Sequence, residues 1–174
     1  MKKIEPSVSL DHMLRQTRMH HVQLSSMVDL KANLLLTIAS VVLTMAAPHI
    51  INPNLKVAVI VLILFCLSTI FLAIYAVMPK MPLTIKREVR PDIKSPFFNL
   101  LFFGDFVNLE YEDYEREMVT MMNDTDEIYR AEVKELYQLG MFLATKKYRY
   151  LQLAYLSFIA GLVACCIVVL FMHV

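Results

Sequence analysis

The residues of this 174-residue sequence that are best suited to chemistry are basic. Arg15 and Arg18 stand three positions apart in a stretch with helical periodicity, so they occupy neighbouring positions on one helix face. Their planar guanidinium groups are suited to bidentate contacts with phosphate. Lys86, Arg87 and Arg90 form a second basic group further along the chain. We predict that these five residues bind an anionic ligand through its phosphate, while basic residues close to a membrane also attract anionic lipid.

The sequence lacks the common motifs of catalytic and metal-binding sites. It contains no His-Glu-x-x-His, Gly-Lys-Ser/Thr, Gly-x-Ser-x-Gly or Cys-x-x-Cys motif. His12, His20 and His21 have no carboxylate four positions on, and the acidic residues of 105–126 alternate with tyrosine and methionine as on a solvated helix face. We therefore predict no catalytic residue, no metal site and no cofactor, and a protein that is not an enzyme.

The helices that must position the basic residues include long apolar blocks of sequence. Hydrophobic residues make up 57% of the sequence and charged residues 19%, far from the balance of a soluble globule. Residues 55–78 and 151–172 are each long enough to cross a hydrocarbon layer of ~30 Å, and residues 32–51 form a third predicted transmembrane helix. Because residues 52–54 read Asn-Pro-Asn, they predict a short external loop that joins the first two spans as an antiparallel hairpin.

The regions outside the spans have helical patterns of their own. Residues 1–31 contain an amphipathic stretch that Ser7 or Ser9 can cap, and it is predicted to run into the first span as one long helix. Its polar length of about thirty residues is too great for the n-region of a signal peptide. In residues 79–150, Asn108 is the predicted N-cap of an inserted helix, and Asp124 caps a further helix that leads into the third span.

The placement of lysine and arginine predicts the orientation of the spans. These residues lie before the first span and between the second and the third, whereas Lys56 alone falls on the other side. The N-terminus and residues 79–150 are therefore predicted to be cytoplasmic, and the C-terminus periplasmic. The predicted fold class is an all-α membrane protein with three transmembrane helices, long cytoplasmic helical extensions and one inserted cytoplasmic helix.

The third span contains small residues three and four positions apart, which favour close contact between helices within a chain or between subunits. They are Ser157, Ala160, Gly161 and Ala164. Three helices cannot enclose a path for water, so a pore would need a homo-oligomer. We predict oligomer contacts through these residues, with a tetramer as the expected assembly.

Short motifs follow one another along nearly the whole chain. They are Asp29-Leu30-Lys31-Ala32-Asn33 at the head of the first span, Met78-Pro79-Lys80 at the end of the second, residues 99–104, the segment from Tyr111 to Tyr114, and Lys147-Tyr148 ahead of the third. In this order they resemble the Pycsar effector domain family of small bacterial membrane proteins, whose signature includes Asp-x-Lys-Ala.

The resemblance implies an antiphage-defence effector in the bacterial inner membrane. Such an effector responds to a nucleotide second messenger or oligonucleotide, made on infection by a partner cyclase or nucleotidyltransferase. A channel or pore controlled by that signal would depolarise the membrane and cause abortive infection. The sequence has no glycine-rich barrel of the kind that binds cyclic nucleotides, so the signal stays open: a cyclic mononucleotide, a cyclic dinucleotide or oligonucleotide, or an inhibitory ligand.

An alternative function belongs to a different class. The acidic and tyrosine-rich stretch 109–122 would suit a membrane anchor that recruits a cytoplasmic enzyme. A membrane-bound phosphohydrolase has the least support, because the sequence offers no set of metal ligands.

Overall fold

The computed structural model describes residues 7–79, 92–93, 95 and 98–172. Within these residues the secondary structure is helical and contains no strand, which confirms the predicted all-α fold. The helices are α1 (Val8–Ala46), α2 (Lys56–Val77), α3 (Phe103–Phe106), α4 (Tyr111–Met122), α5 (Thr125–Phe142) and α6 (Arg149–Met172). A 3-10 helix (Ala47–Ile51) follows α1, and a π-helical turn (Leu143–Tyr148) joins α5 to α6.

The first helix is the long continuous element that the sequence predicts. Ser7 caps it, because the backbone N–H of Leu10 donates a hydrogen bond to its Oγ at 3.2 Å. The helix contains no glycine or proline, and it changes to 3-10 geometry at the segment with Pro48, which has no N–H to donate. Asn52 then closes the turn, its Oδ1 accepting a hydrogen bond of 3.1 Å from the N–H of Asn54.

The start of α4 differs from the sequence prediction. Asn108 does not cap this helix, which begins at Tyr111 after an extended Glu110 with φ −71° and ψ 151°. The reason is local, because the N–H of the buried Leu109 donates to the carbonyl of Phe106 at 2.9 Å and closes a turn behind α3. Asp124 does cap α5 as predicted, with its Oδ1 accepting from the N–H of Asp126 at 2.9 Å.

The chain divides into two compact units. The first comprises residues 1–22 and 79–141, and the second comprises residues 23–78 and 142–174. Three helical stretches, Val8–Ile51, Lys56–Val77 and Thr125–Phe171, are long and apolar enough to cross a membrane.

The core of the second unit is made by three helices that meet through small residues. Its buried members are Val28, Ala32 and Leu35 of α1, Ala73 and Ala76 of α2, and Leu151 and Ala154 of α6. Alanine at these positions lets the helix backbones approach closely, as is common between transmembrane helices. Between α2 and α6, the rings of Tyr75 and Tyr150 also meet edge to face with centroids 4.4 Å apart.

The described part of the first unit contains a few buried apolar or aromatic side chains and a buried amide. Leu14, Leu109, Met121 and Tyr129 are buried apolar or aromatic residues of this unit. Asn99 is also buried, and its Nδ2 donates to Oε1 of Gln138 on α5 at 2.8 Å.

Candidate ligand-binding site

A cavity of about 440 Å³ lies between α1 and α5 in the first unit. This is within the range of roughly 300–1,000 Å³ that is usual for small-molecule sites. Its walls combine apolar and charged side chains: Asp11, Leu14, Arg15, Arg18, Met19, Glu132, Glu135 and Leu136. The structure therefore brings the predicted pair Arg15 and Arg18 to one cavity.

Arg18 is held by an acidic partner across the cavity. Its Nη2 pairs with Oε2 of Glu135 on α5, and the two side chains are 46% and 18% exposed. A charge-assisted contact of this kind is stronger than a neutral hydrogen bond. An anion that takes Nη2 of Arg18 must therefore replace the carboxylate of Glu135.

Arg15 differs from Arg18 in its contacts with other side chains. It lies three positions before Arg18, is exposed, and has no hydrogen bond or ion pair with any residue that the structure describes. None of the donors of its guanidinium group therefore has an acceptor in the part of the chain that the structure describes. Of the two predicted arginines, Arg15 is the one that an anion can reach without displacing a side chain.

The wall near the start of α1 carries a carboxylate with a fixed neighbour. The buried Tyr129 hydroxyl donates a hydrogen bond to Oδ1 of Asp11 at 2.5 Å. This hydrogen bond is the main reason that the pKa of Tyr129 is raised, and burial of the ring is the second reason. Tyr129 lies outside the predicted spans, well before the apolar block 151–172. Tyr129 therefore stays a neutral donor across the physiological range, and it orients Asp11 at the edge of the cavity.

Two of the lining carboxylates were missed in the sequence. Glu132 and Glu135 are three positions apart on α5, the same spacing as Arg15 and Arg18 on α1. Two acidic residues on one helix and two basic residues on another, with the same spacing, can indicate that the two helix surfaces face each other. Many other acidic residues of the chain have similar spacings, so this pattern does not single out Glu132 and Glu135.

The remaining predicted binding residues, Lys86, Arg87 and Arg90, lie outside the described residues.

The small residues of the third span divide between the chain's own packing and its surface. Ser157 and Gly161 both face Phe65 of α2 in the same chain, with Ser157 Oγ 3.4 Å from the Phe65 carbonyl oxygen. Ala164 is half-buried, and Ala160 is exposed. Their contribution to an oligomer stays a prediction.

The second unit contains a charged cluster of its own. Lys147, in the π-helical turn, donates to both carboxylate oxygens of Asp29 and to the hydroxyl of Ser25. Lys147 and Asp29 belong to two of the motifs that carry the family resemblance. The structure thus assigns them to one contact.

Among residues 7–79, 92–93, 95 and 98–172, no group of three or more histidine, cysteine, aspartate or glutamate side chains is placed to hold a metal ion. His12 and His20 are exposed on α1, whereas His21 lies against Gly140 of α5.

Fold and site together define a small helical membrane protein with three helices able to cross a membrane and a charged cavity between two of its helices. The family model of the Pycsar effector protein domain matches residues 12–174, so the chain belongs to this family. The protein is accordingly an antiphage-defence effector, and a Pycsar system implies a cyclic nucleotide signal from a partner cyclase. The family is not known for an enzymatic activity. No curated protein and no solved structure matches the chain.

Proposed function

We propose that this protein is a channel or pore of the bacterial inner membrane that a cyclic nucleotide controls. The nucleotide binds in the cavity between α1 and α5, an assembly of several copies conducts ions, and the resulting depolarisation causes abortive infection. The observation that carries the proposal is that one cavity holds the paired Arg18 and Arg15, which has no partner among the described residues, in a chain of the Pycsar effector family.

The charge and size of the cavity favour a cyclic mononucleotide over larger signals. Its walls contribute three carboxylates and two guanidinium groups, so each additional negative charge on a ligand increases the repulsion from the carboxylates. A cyclic mononucleotide has a single negative charge, whereas a cyclic dinucleotide carries two phosphates in about twice the size. The volume of about 440 Å³ suits the smaller molecule.

The membrane arrangement is part of the proposal. Residues 32–51, 55–78 and 151–172 cross the membrane, and the basic residues between the second and third spans keep residues 79–150 and the N-terminus in the cytoplasm. The cavity then faces the compartment in which a cyclase releases its product, and the C-terminus is periplasmic.

Conduction requires more than one copy of the chain. Three helices leave no room for a water-filled path, and a homo-tetramer is our proposed assembly. Apolar side chains such as Leu34, Ile38 and Met45 on α1 are exposed in the single chain, as is Ala160 on α6. In a membrane these surfaces contact lipid or a second copy.

The experiment uses the full chain reconstituted in liposomes loaded with a potassium-sensitive dye. Each of cyclic AMP, cyclic GMP, cyclic CMP and cyclic UMP is added in turn, and binding to the detergent-solubilised protein is measured in parallel. The R15A/R18A double variant should insert normally but lose both nucleotide binding and nucleotide-dependent flux. The matched control is Arg116→Ala, because Arg116 is an exposed arginine on α4 that pairs with Asp113 outside the cavity.

Two results would overturn the proposal in different ways. Binding and flux that survive R15A/R18A would remove the site from this cavity and direct attention to Lys86, Arg87 and Arg90. Absence of flux with every nucleotide, and without any, would exclude conduction as the activity.

A membrane anchor is the second candidate function. On α4, Tyr111 is 67% exposed and lies beside the exposed Glu112, with Glu115 exposed one turn on. Such a surface suits a protein partner with basic residues. The anchor function predicts that a cytoplasmic enzyme is retained on α4 in pull-downs, that Y111A/E115A abolishes this retention, and that liposomes show no flux.

A further inference from the structure

We infer that Glu135 is an internal competitor of the ligand, and that binding transfers Arg18 from the Glu135 carboxylate to the phosphate of the nucleotide. This inference rests on the proposed function and concerns the regulation of the same cavity.

The two arginines of the cavity differ in one respect that matters for binding. Arg15 has no partner among the described residues, whereas Arg18 already contacts Glu135. Carboxylate and phosphate oxygens compete for the same N–H groups of a guanidinium. A ligand that contacts Arg15 alone makes one charged contact, and a second one through Nη2 of Arg18 requires that Glu135 give up this group.

The two side chains of the pair differ in their exposure to solvent, and this difference bears on the competition. The side chain of Glu135 is only 18% exposed, while that of Arg18 is 46% exposed. Arg18 can therefore turn toward a ligand more freely than Glu135 can turn toward water. The carboxylate stays in the wall, where its charge opposes any anion that enters before Arg18 has been released.

The exchange also changes a contact between two long helices. The Arg18–Glu135 pair joins α1 to α5 in the first unit. Both helices belong to stretches that are long and apolar enough to cross a membrane, Val8–Ile51 and Thr125–Phe171. When the ligand takes Arg18 from Glu135, the ion pair between α1 and α5 is lost. Both helices continue toward the predicted spans, so the loss of this ion pair is a means by which the nucleotide can act on conduction.

The experiment measures equilibrium binding of the four cyclic mononucleotides named above to the full chain in detergent. Glu135→Gln removes the competing charge while keeping the shape of the side chain, and it should tighten binding about five- to tenfold. The matched control is Glu132→Gln, which removes the same charge from the same cavity without releasing Arg18. A general electrostatic effect alone should tighten binding in this control by less than about twofold.

A second variant separates competition from loss of structure. Arg18→Gln breaks the same ion pair as Glu135→Gln but also removes the guanidinium, so it should weaken binding by at least about fivefold. Opposite changes in affinity from two variants that break one contact cannot come from a shared structural defect. In the Arg18→Gln background, Glu135→Gln should no longer tighten binding.

The outcomes separate this inference from the proposed function. Equal tightening by Glu135→Gln and Glu132→Gln, with binding still dependent on Arg15, would overturn the competition and leave the site intact. Binding that R15A/R18A does not affect, or absence of binding in the wild type and in Glu135→Gln alike, would overturn both. Binding that only Glu135→Gln makes measurable would support the competition strongly.

Discussion

The Nζ atom of Lys147 lies 2.6 Å from Oδ1 and 2.8 Å from Oδ2 of Asp29. The same ammonium group donates to Oγ of Ser25 at 2.8 Å, so all three of its donors have protein acceptors. The Lys147 side chain is only 13% exposed, and that of Asp29 is 41% exposed. Within the second unit, this contact connects α1 to the π-helical turn that precedes α6.

Lys147→Met should destabilise the protein by about 1–2 kcal/mol, because it leaves Asp29 without its cation in a partly buried position. The matched control is Lys146→Met, since Lys146 is exposed in the same π-helical turn. Thermal unfolding in detergent, followed by circular dichroism at 222 nm, should show a Tm lowered by roughly 2–4 °C per kcal/mol in the first variant alone. Equal losses in both variants would show that the contact with Asp29 is unimportant.

Gly161→Ala should destabilise the packing of α6 against α2. A Cβ atom at this position would overlap Cβ of Phe65 and would lie 3.0 Å from its Cγ. Because the Cβ of Phe65 is fixed close to its backbone, the two helices would have to separate, at a cost of about 1–3 kcal/mol. A lower yield of folded protein and a lower Tm in detergent are the expected results. An unchanged Tm would contradict this close approach.

Gly140→Ala should have the opposite effect. Gly140 also lies inside a helix, but an added Cβ would be 3.4 Å from Cε1 of His21, an ordinary contact. Replacement of a mid-helix glycine by alanine then stabilises the folded state by about 0.5–1 kcal/mol, because the unfolded chain loses conformational freedom. The same thermal unfolding measurement serves for both glycine variants. A decrease in stability would mean that the His21 ring cannot accommodate one methyl group.

Tyr129→Phe should lower the stability of the folded protein at neutral pH, and it should remove part of the pH dependence of that stability. The hydrogen bond to Asp11 raises the pKa of Tyr129 above its unfolded value, so its contribution is fully present below pH about 10. That contribution is lost as the pH rises through the pKa of the folded protein. The Tm difference between wild type and Tyr129→Phe should therefore be large at about pH 8 and shrink by about pH 11.

Effects of alkaline pH that wild type and variant share cancel in the comparison, so the difference between the two Tm values isolates Tyr129. A difference that stays constant up to about pH 11 would show that the hydroxyl does not donate to Asp11.

The sequence by itself was sufficient to predict that this is a membrane protein, that its fold is helical and that it resembles the Pycsar effector family. Apolar blocks such as 55–78 and the long helical pattern that leads into residues 32–51 are local properties, readable from hydropathy and periodicity alone. The N-cap at Asp124 was also predictable, because its hydrogen bond reaches only to Asp126. The start of α4 was not, because a turn closed by Leu109 and Phe106 competes with the cap at Asn108.

Only the tertiary structure decided which charged and small residues meet. Arg15 and Arg18 were predicted from the sequence as candidates for anion binding, but the acceptor of Arg18 is a glutamate 117 positions away. Lys147 and Asp29 are 118 positions apart, and Gly161 meets Phe65 across two helices. Such contacts depend on how helices rotate and pack against one another. Many pairings of acidic and basic helix faces satisfy the same periodicity, and side-chain packing in three dimensions selects among them.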